Sequence, residues 1–156
     1  MKQKAKPAEV NALQSHIGFW LRFVSNHVSH AFALKLADSG VTVAEWVILR
    51  EMYSRSDIAP SDIAEITGLT RGAVSKLVDR LVAKRLVSRH NRSDDRRYQT
   101  IALTAAGAKV VPSLATLADV NDEEFFSALT PRERDTLVST LKKLVEINGL
   151  KRIATE

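Results

Sequence analysis

The sequence of 156 residues contains no cysteine and no long apolar run. The absence of cysteine excludes disulfide bonds, thiol redox sensing and cysteine-ligated zinc. Because no stretch of about 18 consecutive apolar residues occurs, no membrane-spanning helix is expected. The first ten residues, MKQKAKPAEV, also lack the apolar core of a secretory signal. Together these absences predict a cytoplasmic protein.

Motifs that carry catalysis are missing as well. The sequence has no nucleophile-elbow glycines, no phosphate-binding loop and no activated thiol. His27 and His30 lie three residues apart on a predicted helix, but two ligands make a poor metal site and no third ligand is close in sequence. We therefore predict no metal, no cofactor and no enzymatic activity.

The composition and organisation fit one globular domain spanning residues 1–156. Hydrophobic residues make up 45% of the chain and charged residues 26%. A chain of this length can bury a sizeable core. No internal repeat, low-complexity tract or interdomain linker interrupts it.

Residues 60–104 have the pattern of a helix-turn-helix. A short helix, SDIAEIT, is followed by Gly68, a residue type that takes a positive φ without steric cost. Thr70 then begins a second helix as its N-cap. The apolar stripe of that helix consists of Val74, Leu77, Val78 and Leu81. Its opposite side combines small residues with cations, which suits a helix that enters the major groove, although a solvated helix face is the plainer interpretation. The candidate DNA contacts are Thr70, Arg71, Gly72, Ser75, Lys76 and Arg80.

A β-hairpin is predicted after this helix. Residues 86–90 and 98–103 read as two short strands, with Gln99, Ile101 and Leu103 on one face of the second strand. The loop between them, NRSDDRR, is too polar to bury and is suited to lie along a DNA backbone or in a minor groove. The candidate DNA contacts in the hairpin are Arg89, Arg92, Asp95, Arg96 and Arg97.

Positive charge is concentrated on the same stretch. The whole chain has a net charge of +5, from 23 Lys and Arg against 18 Asp and Glu. Nine of these bases but only three of the acids lie between Thr70 and Arg97, which gives this stretch +6 and the remainder −1. Such a distribution is typical of a surface that binds a polyanion.

The run DRRYQTIALT, residues 95–104, resembles the wing signature of the MarR family of bacterial transcription regulators. Asp95, Arg97, Leu103 and Thr104 occupy its fixed positions. The segment TRGAVSKLVDRLVAKRLV is similar to the recognition helix of that family, and the resemblance spans essentially the whole chain. It implies a mainly α fold with a small β-hairpin wing. It also implies that Asp95 orients Arg97 for the minor groove, whereas the alternative is a surface ion pair of little energetic consequence.

The flanking segments are predicted to be helical. A long helix over about residues 9–38 is expected to end at Gly40, and Thr42 with Glu45 forms a capping box for a helix that runs to about Ser54. Thr104 is expected to cap a further helix, which Pro112 should kink. The run Thr130-Pro131-Arg132-Glu133 marks the start of the last helix.

The flanking helices are more apolar than a winged helix-turn-helix alone requires. The family resemblance implies that about residues 9–38 and 105–150 form a dimerisation region, and about residues 42–104 form the winged helix-turn-helix. A homodimer would place two recognition helices on the two half-sites of a pseudo-palindromic operator in double-stranded DNA. The alternative is a monomer in which these helices close on themselves.

The resemblance also implies a ligand site. In the MarR family, small aromatic or phenolic effectors bind where the first two helices meet the helix after the wing. The candidates here are His16, Trp20 and Trp46, although tryptophans more often belong to a core. The function that follows is a sequence-specific regulator, a repressor released by such a ligand. A ligand-independent or architectural DNA-binding factor is the alternative, because a ligand pocket has no motif of its own.

Overall fold

The fold is mainly helical with one small hairpin, as predicted. A computed structural model describes residues 10–91 and 99–150. Its elements, in chain order, are α1 (Ile17–Leu36), α2 (Val43–Tyr53), α3 (Pro60–Thr67), α4 (Arg71–Ala83), β1 (Val87–Asn91), β2 (Gln99–Leu103), α5 (Ala105–Phe125) and α6 (Pro131–Ile147). No helix within these two ranges is long and apolar enough to cross a membrane.

The first helix begins later than the sequence predicts. Leu13–Ser15 form a short 3-10 turn, and His16 has an extended backbone, so α1 begins at Ile17 and not near Glu9. Side chains occupy carbonyls that a continuous helix would need, since the Ser15 hydroxyl donates to Ala12 O and the Trp20 indole to Gln14 O. Gly40 has a φ of 68° and ends this segment, as predicted.

The predicted starts of α2, α5 and α6 are confirmed. Thr42 Oγ1 accepts from Glu45 N, and Glu45 Oε2 accepts from Thr42 N at 2.9 Å, which completes the capping box of α2. Thr130 and Glu133 form the same arrangement at α6, with Pro131 in the first position. Thr104 caps α5 by accepting from Gly107 N.

The helix-turn-helix is built as predicted. Gly68 takes a φ of 71° between α3 and α4, and Ala64 is fully buried where the two helices pack. The apolar stripe of α4 fixes this helix to the core, and its buried members are Val74, Leu77, Val78 and Leu81. Burial of such a stripe is the main source of stability for a short helix.

Strands β1 and β2 form an antiparallel hairpin in which Val87 pairs with Leu103 and Arg89 with Ile101. Ile101 is fully buried, and both of its backbone groups bond to Ile58, so the Ile58 segment covers the outer edge of β2. The predicted alternation holds only in part. Thr100 is buried next to Ile101, and Gln99 and Leu103 are only half-buried.

Helix α5 packs along α1 and continues through Pro112 as one element. Its inner side is buried at Val111 and Leu114. Polar groups also join the two helices, since Asn121 Nδ2 donates to Val28 O and Lys35 pairs with Glu124 at 2.7 Å. The first helix of the chain, α1, and the helix that follows the hairpin, α5, therefore form one packed pair.

Candidate nucleic-acid interface

Helix α4 presents a cationic face to solvent. The side chains of Arg71, Ser75, Lys76 and Arg80 are exposed on the side away from the buried stripe. Gly72 lies on this face, and a Cβ added there would have no atom within 4 Å. Nothing in the described part of the fold therefore requires a glycine at this position. An open, small residue flanked by cations suits close approach to a DNA groove.

Thr70 has a structural role in addition to any contact with DNA. Its hydroxyl accepts from Ala73 N at 3.1 Å and so satisfies a free amide of the first turn of α4. The hydroxyl keeps its own hydrogen, which remains able to donate to an acceptor such as a phosphate.

Two of the cations counted in the basic stretch are engaged within the chain. Arg89 on β1 forms a salt bridge with Asp79 on α4, which joins the hairpin to the recognition helix. Lys84 Nζ donates to Glu45 Oε2 and to Gly40 O, at 2.6 Å in each case. Burial raises the pKa of the Glu45 carboxyl, but hydrogen bonds from Lys84 and from Thr42 outweigh it and hold that pKa below its ordinary value.

The corner between α4 and β1 contains residues that sequence reasoning missed. Arg85 is the one non-glycine residue in the described ranges with a positive φ, of 60°, and it ends α4. Its carbonyl accepts from the Thr104 hydroxyl at 2.8 Å, and Leu86 O accepts from Thr104 N. Gly107 packs against this corner, since a Cβ there would lie 2.1 Å from Leu86 O. The spacing Thr-x-x-Gly after the strand was the available signal.

Comparisons with known proteins agree with this geometry. A family model described as MarR family matches residues 39–97, which contain the helix-turn-helix and the first strand of the hairpin. A putative transcriptional regulatory protein for the hcr operon of Thauera aromatica is 25% identical, over 92% of this chain and 91% of that protein. The structure of BpsR from Bordetella bronchiseptica, studied for regulation of DNA binding by 6-hydroxynicotinic acid, has a TM-score of 0.80 and 24% identity over 87% of this chain and 97% of that one.

A mutant MarR from Escherichia coli complexed with operator DNA has a TM-score of 0.79, with 24% identity over 87% of this chain and 99% of that one. Residues 39–97 of the chain match the MarR family, and they contain its helix-turn-helix. The chain is a DNA-binding transcriptional regulator with the winged-helix fold, and it is not an enzyme, because members of this family regulate transcription.

The wing residues of the chain are only partly described. Arg92, Asp95, Arg96 and Arg97 lie outside the described residues, so their assignment as DNA contacts stays a prediction. The strands that flank this loop are in place, and Arg89 lies on the first of them. The hairpin therefore places Asn91 and Gln99, the described residues on either side of the loop, next to each other.

The ligand candidates do not come together. Trp20 lines an apolar groove of about 570 Å³ between α1 and α6, with Leu21, Val24 and Leu141 among the other lining residues. Trp46 is buried in the core and meets the ring of Phe32 edge to face, with ring centroids 6.2 Å apart. His16 is exposed at the start of α1. The groove with Trp20 and the core with Trp46 are different environments.

Proposed function

We propose that the protein is a repressor that binds a pseudo-palindromic operator as a homodimer and is released by a small aromatic ligand. The exposed cationic face of α4, fixed by a buried stripe on its other side, is the observation that carries the proposal. In this assignment α4 enters the major groove through Arg71, Gly72, Ser75, Lys76 and Arg80. The hairpin follows the backbone or the minor groove.

The apolar surface of the flanking helices supports a homodimer. On α6, the stripe Leu137, Leu141, Leu144 and Val145 is 38 to 50% exposed, and nothing in the described protomer covers it. On α1, Ile17, Trp20, Leu21 and Val24 are also exposed. An apolar surface of this extent is typical of a protein–protein interface. About residues 9–38 and 105–150 then form the dimerisation region, and about residues 42–104 the DNA-binding part.

A ligand of aromatic character is supported by one neighbour. The groove beside Trp20 shares Trp20, Leu21 and Leu141 with the apolar surface assigned to the dimer, so in the proposed dimer it lies at that interface. The BpsR structure was determined to explain regulation by 6-hydroxynicotinic acid, a small aromatic acid. A ligand that binds one dimer geometry more tightly would change the separation of the recognition helices and release DNA. A screen of small aromatic acids for increased melting temperature identifies such a ligand.

Replacement of Lys76 tests the DNA-binding assignment. The operator is first identified as the promoter fragment that binds to the purified protein. Because Lys76 lies on the exposed face, Lys76→Ala should leave the free energy of unfolding nearly unchanged. It should weaken operator binding by roughly 1–3 kcal/mol and random-sequence binding much less, with preference relaxed at one base pair in each half-site.

The matched control is Lys109→Ala, which removes the same charge from an exposed position on α5. This variant should bind the operator nearly as tightly as the wild type. Equal losses on operator and random DNA for Lys76→Ala would reduce Lys76 to a phosphate contact. Unchanged binding to both would show that this face of α4 does not enter the groove.

A further inference from the structure

The C-terminal end of the recognition helix is held from two sides by residues close to the end of α1 and the start of α5. Residues 84–86, here called the corner, follow α4 directly. On one side, Lys84 Nζ donates to Gly40 O in the turn between α1 and α2, and to Glu45 Oε2 in the first turn of α2. On the other side, Thr104, the cap of α5, bonds through its hydroxyl and its amide to the carbonyls of Arg85 and Leu86.

Helix α1 ends at Leu36, four residues before Gly40, and α5 begins at Ala105, directly after Thr104; these two helices pack against each other. A shift of this helical pair therefore reaches α4 through the corner as well as through the core. The hydrophobic stripe fixes which face of α4 is buried, but it is non-directional. The hydrogen bonds of the corner depend on distance and angle, so they determine where the end of the helix lies.

Stability alone does not account for the Lys84–Glu45 pair. The Glu45 side chain is only 1% exposed, and its Oε1 has no hydrogen-bond partner among the described residues. Burying a carboxylate is costly, and a buried ion pair often contributes no more stability than apolar residues of similar volume. A directional contact that fixes one arrangement of two elements is the best-attested use of such a pair.

We propose that Lys84 is a positioning residue for DNA binding: by joining the α1–α2 turn to the end of α4, it sets the separation of the two recognition helices in the dimer. Lys84 touches no base in this assignment. The inference rests on the proposed binding of a homodimer to two half-sites. Beyond that proposed function, the inference names Lys84 as the residue whose contacts make the dimer prefer one spacing of the half-sites.

Three duplexes test the proposal: the operator, the operator with one base pair inserted between its half-sites, and a single half-site. Lys84→Met keeps an unbranched side chain of similar length and removes the charge and both hydrogen bonds. Its affinity for the operator should fall about ten-fold. The ratio of its affinities for the natural and the lengthened operator should be smaller than that of the wild type. Its affinity for the single half-site should change less than about two-fold, because one helix needs no spacing.

Control variants separate positioning from charge and from folding. Lys109→Met removes a lysine elsewhere and should keep the wild-type preference for spacing, whereas Lys84→Arg should restore it in part. Glu45→Gln retains a neutral acceptor for Thr42 N while weakening the Lys84 contact, so it should show the same pattern as Lys84→Met in smaller measure. Thermal unfolding shows whether each variant is folded at the assay temperature. If Lys84→Met is not folded, the result for Glu45→Gln decides between the outcomes.

The possible failures are distinguishable. Equal loss on all three duplexes would make Lys84 a phosphate contact, and an unchanged spacing preference would show that the corner does not position α4. Either result overturns the inference and leaves dimeric operator binding intact. A wild type that does not discriminate between the natural and the lengthened operator would instead contradict the proposed function.

Discussion

At the scale of single residues, two glycines of the chain have opposite reasons to be there. Gly107 is buried against the corner, where any side chain would collide with the carbonyl of Leu86. Gly72 is surrounded by open space on the recognition helix, so the protein by itself would accept a larger residue. The first glycine serves the fold, whereas the second has no such role within the described protein and suits the close approach of DNA that we propose.

Replacing Gly107 should destabilise the protein. In Gly107→Ala the added methyl would lie 2.1 Å from Leu86 O, so α5 or the corner must move. Overpacking of this kind costs about 1–3 kcal/mol in the free energy of unfolding, measured by chemical denaturation. The control is Gly18→Ala in α1, where a Cβ meets nothing within 4 Å and alanine should stabilise the helix by up to about 1 kcal/mol. Equal stability of the Gly107→Ala variant and the wild type would contradict the packing described for the corner.

At the scale of elements, local signals predicted most of the secondary structure. Side-chain caps at Thr42, Thr70, Thr104 and Thr130 act within four residues, so they are visible in sequence and are confirmed in the structure. The late start of α1 was missed because it depends on Ser15 and Trp20 competing for backbone carbonyls. The prediction relied on the apolar periodicity of the segment, and these hydrogen bonds do not change that periodicity.

Contacts between distant residues were not predictable in the same way. The charge count assigned Lys84 and Arg89 to the DNA-binding surface, but their partners are 39 and 10 residues away in sequence. Partners at such separations are brought together only by the fold, and no local pattern marks them. The family resemblance suggested Trp46 for a ligand site, and the contact of its ring with Phe32 in the core was likewise not visible in the sequence. The cationic face of α4 was predictable because its apolar and its charged residues both recur with the repeat of an α-helix, which places them on opposite sides.

The ion pair between α4 and β1 should affect DNA binding more than stability. Its side chains are 59% exposed for Asp79 and 32% for Arg89, so Asp79→Asn should change the free energy of unfolding by less than about 1 kcal/mol. The freed Arg89 then becomes available to a phosphate. The slope of log affinity against log salt for random DNA should steepen by about one unit. The double variant Asp79→Asn/Arg89→Gln should return the slope to its wild-type value, and an unchanged slope in the single variant would exclude Arg89 as a latent phosphate contact.

At the scale of the whole molecule, charge and apolar surface are segregated. The basic residues are concentrated on α4 and the hairpin, whereas the exposed apolar side chains are concentrated on α1 and α6. The proposed DNA binding and the proposed self-association therefore use different parts of the surface. A change in dimer geometry can then reach α4 only through the packed elements between these two parts, among them the corner.

The exposed stripe of α6 provides the test of the dimer. Leu141→Glu places a carboxylate in the middle of the apolar surface and should dissociate the dimer, because an unpaired buried charge is strongly unfavourable at an interface. Sedimentation at several concentrations measures the mass, and circular dichroism shows whether the helices remain. Operator affinity should fall to that of a single half-site.

The matched control is Ser139→Glu, which adds the same charge to the same helix about 160° away from Leu141 around its axis. Ser139 is exposed, so this variant should remain dimeric and bind the operator like the wild type, apart from a modest loss to added negative charge. A Leu141→Glu protein that kept the wild-type mass would show that α6 is not in the interface. A folded monomer that still bound the full operator as tightly as the wild type would show that operator binding does not need the dimer. Two separate protomers would then bind the two half-sites without a contact that links them.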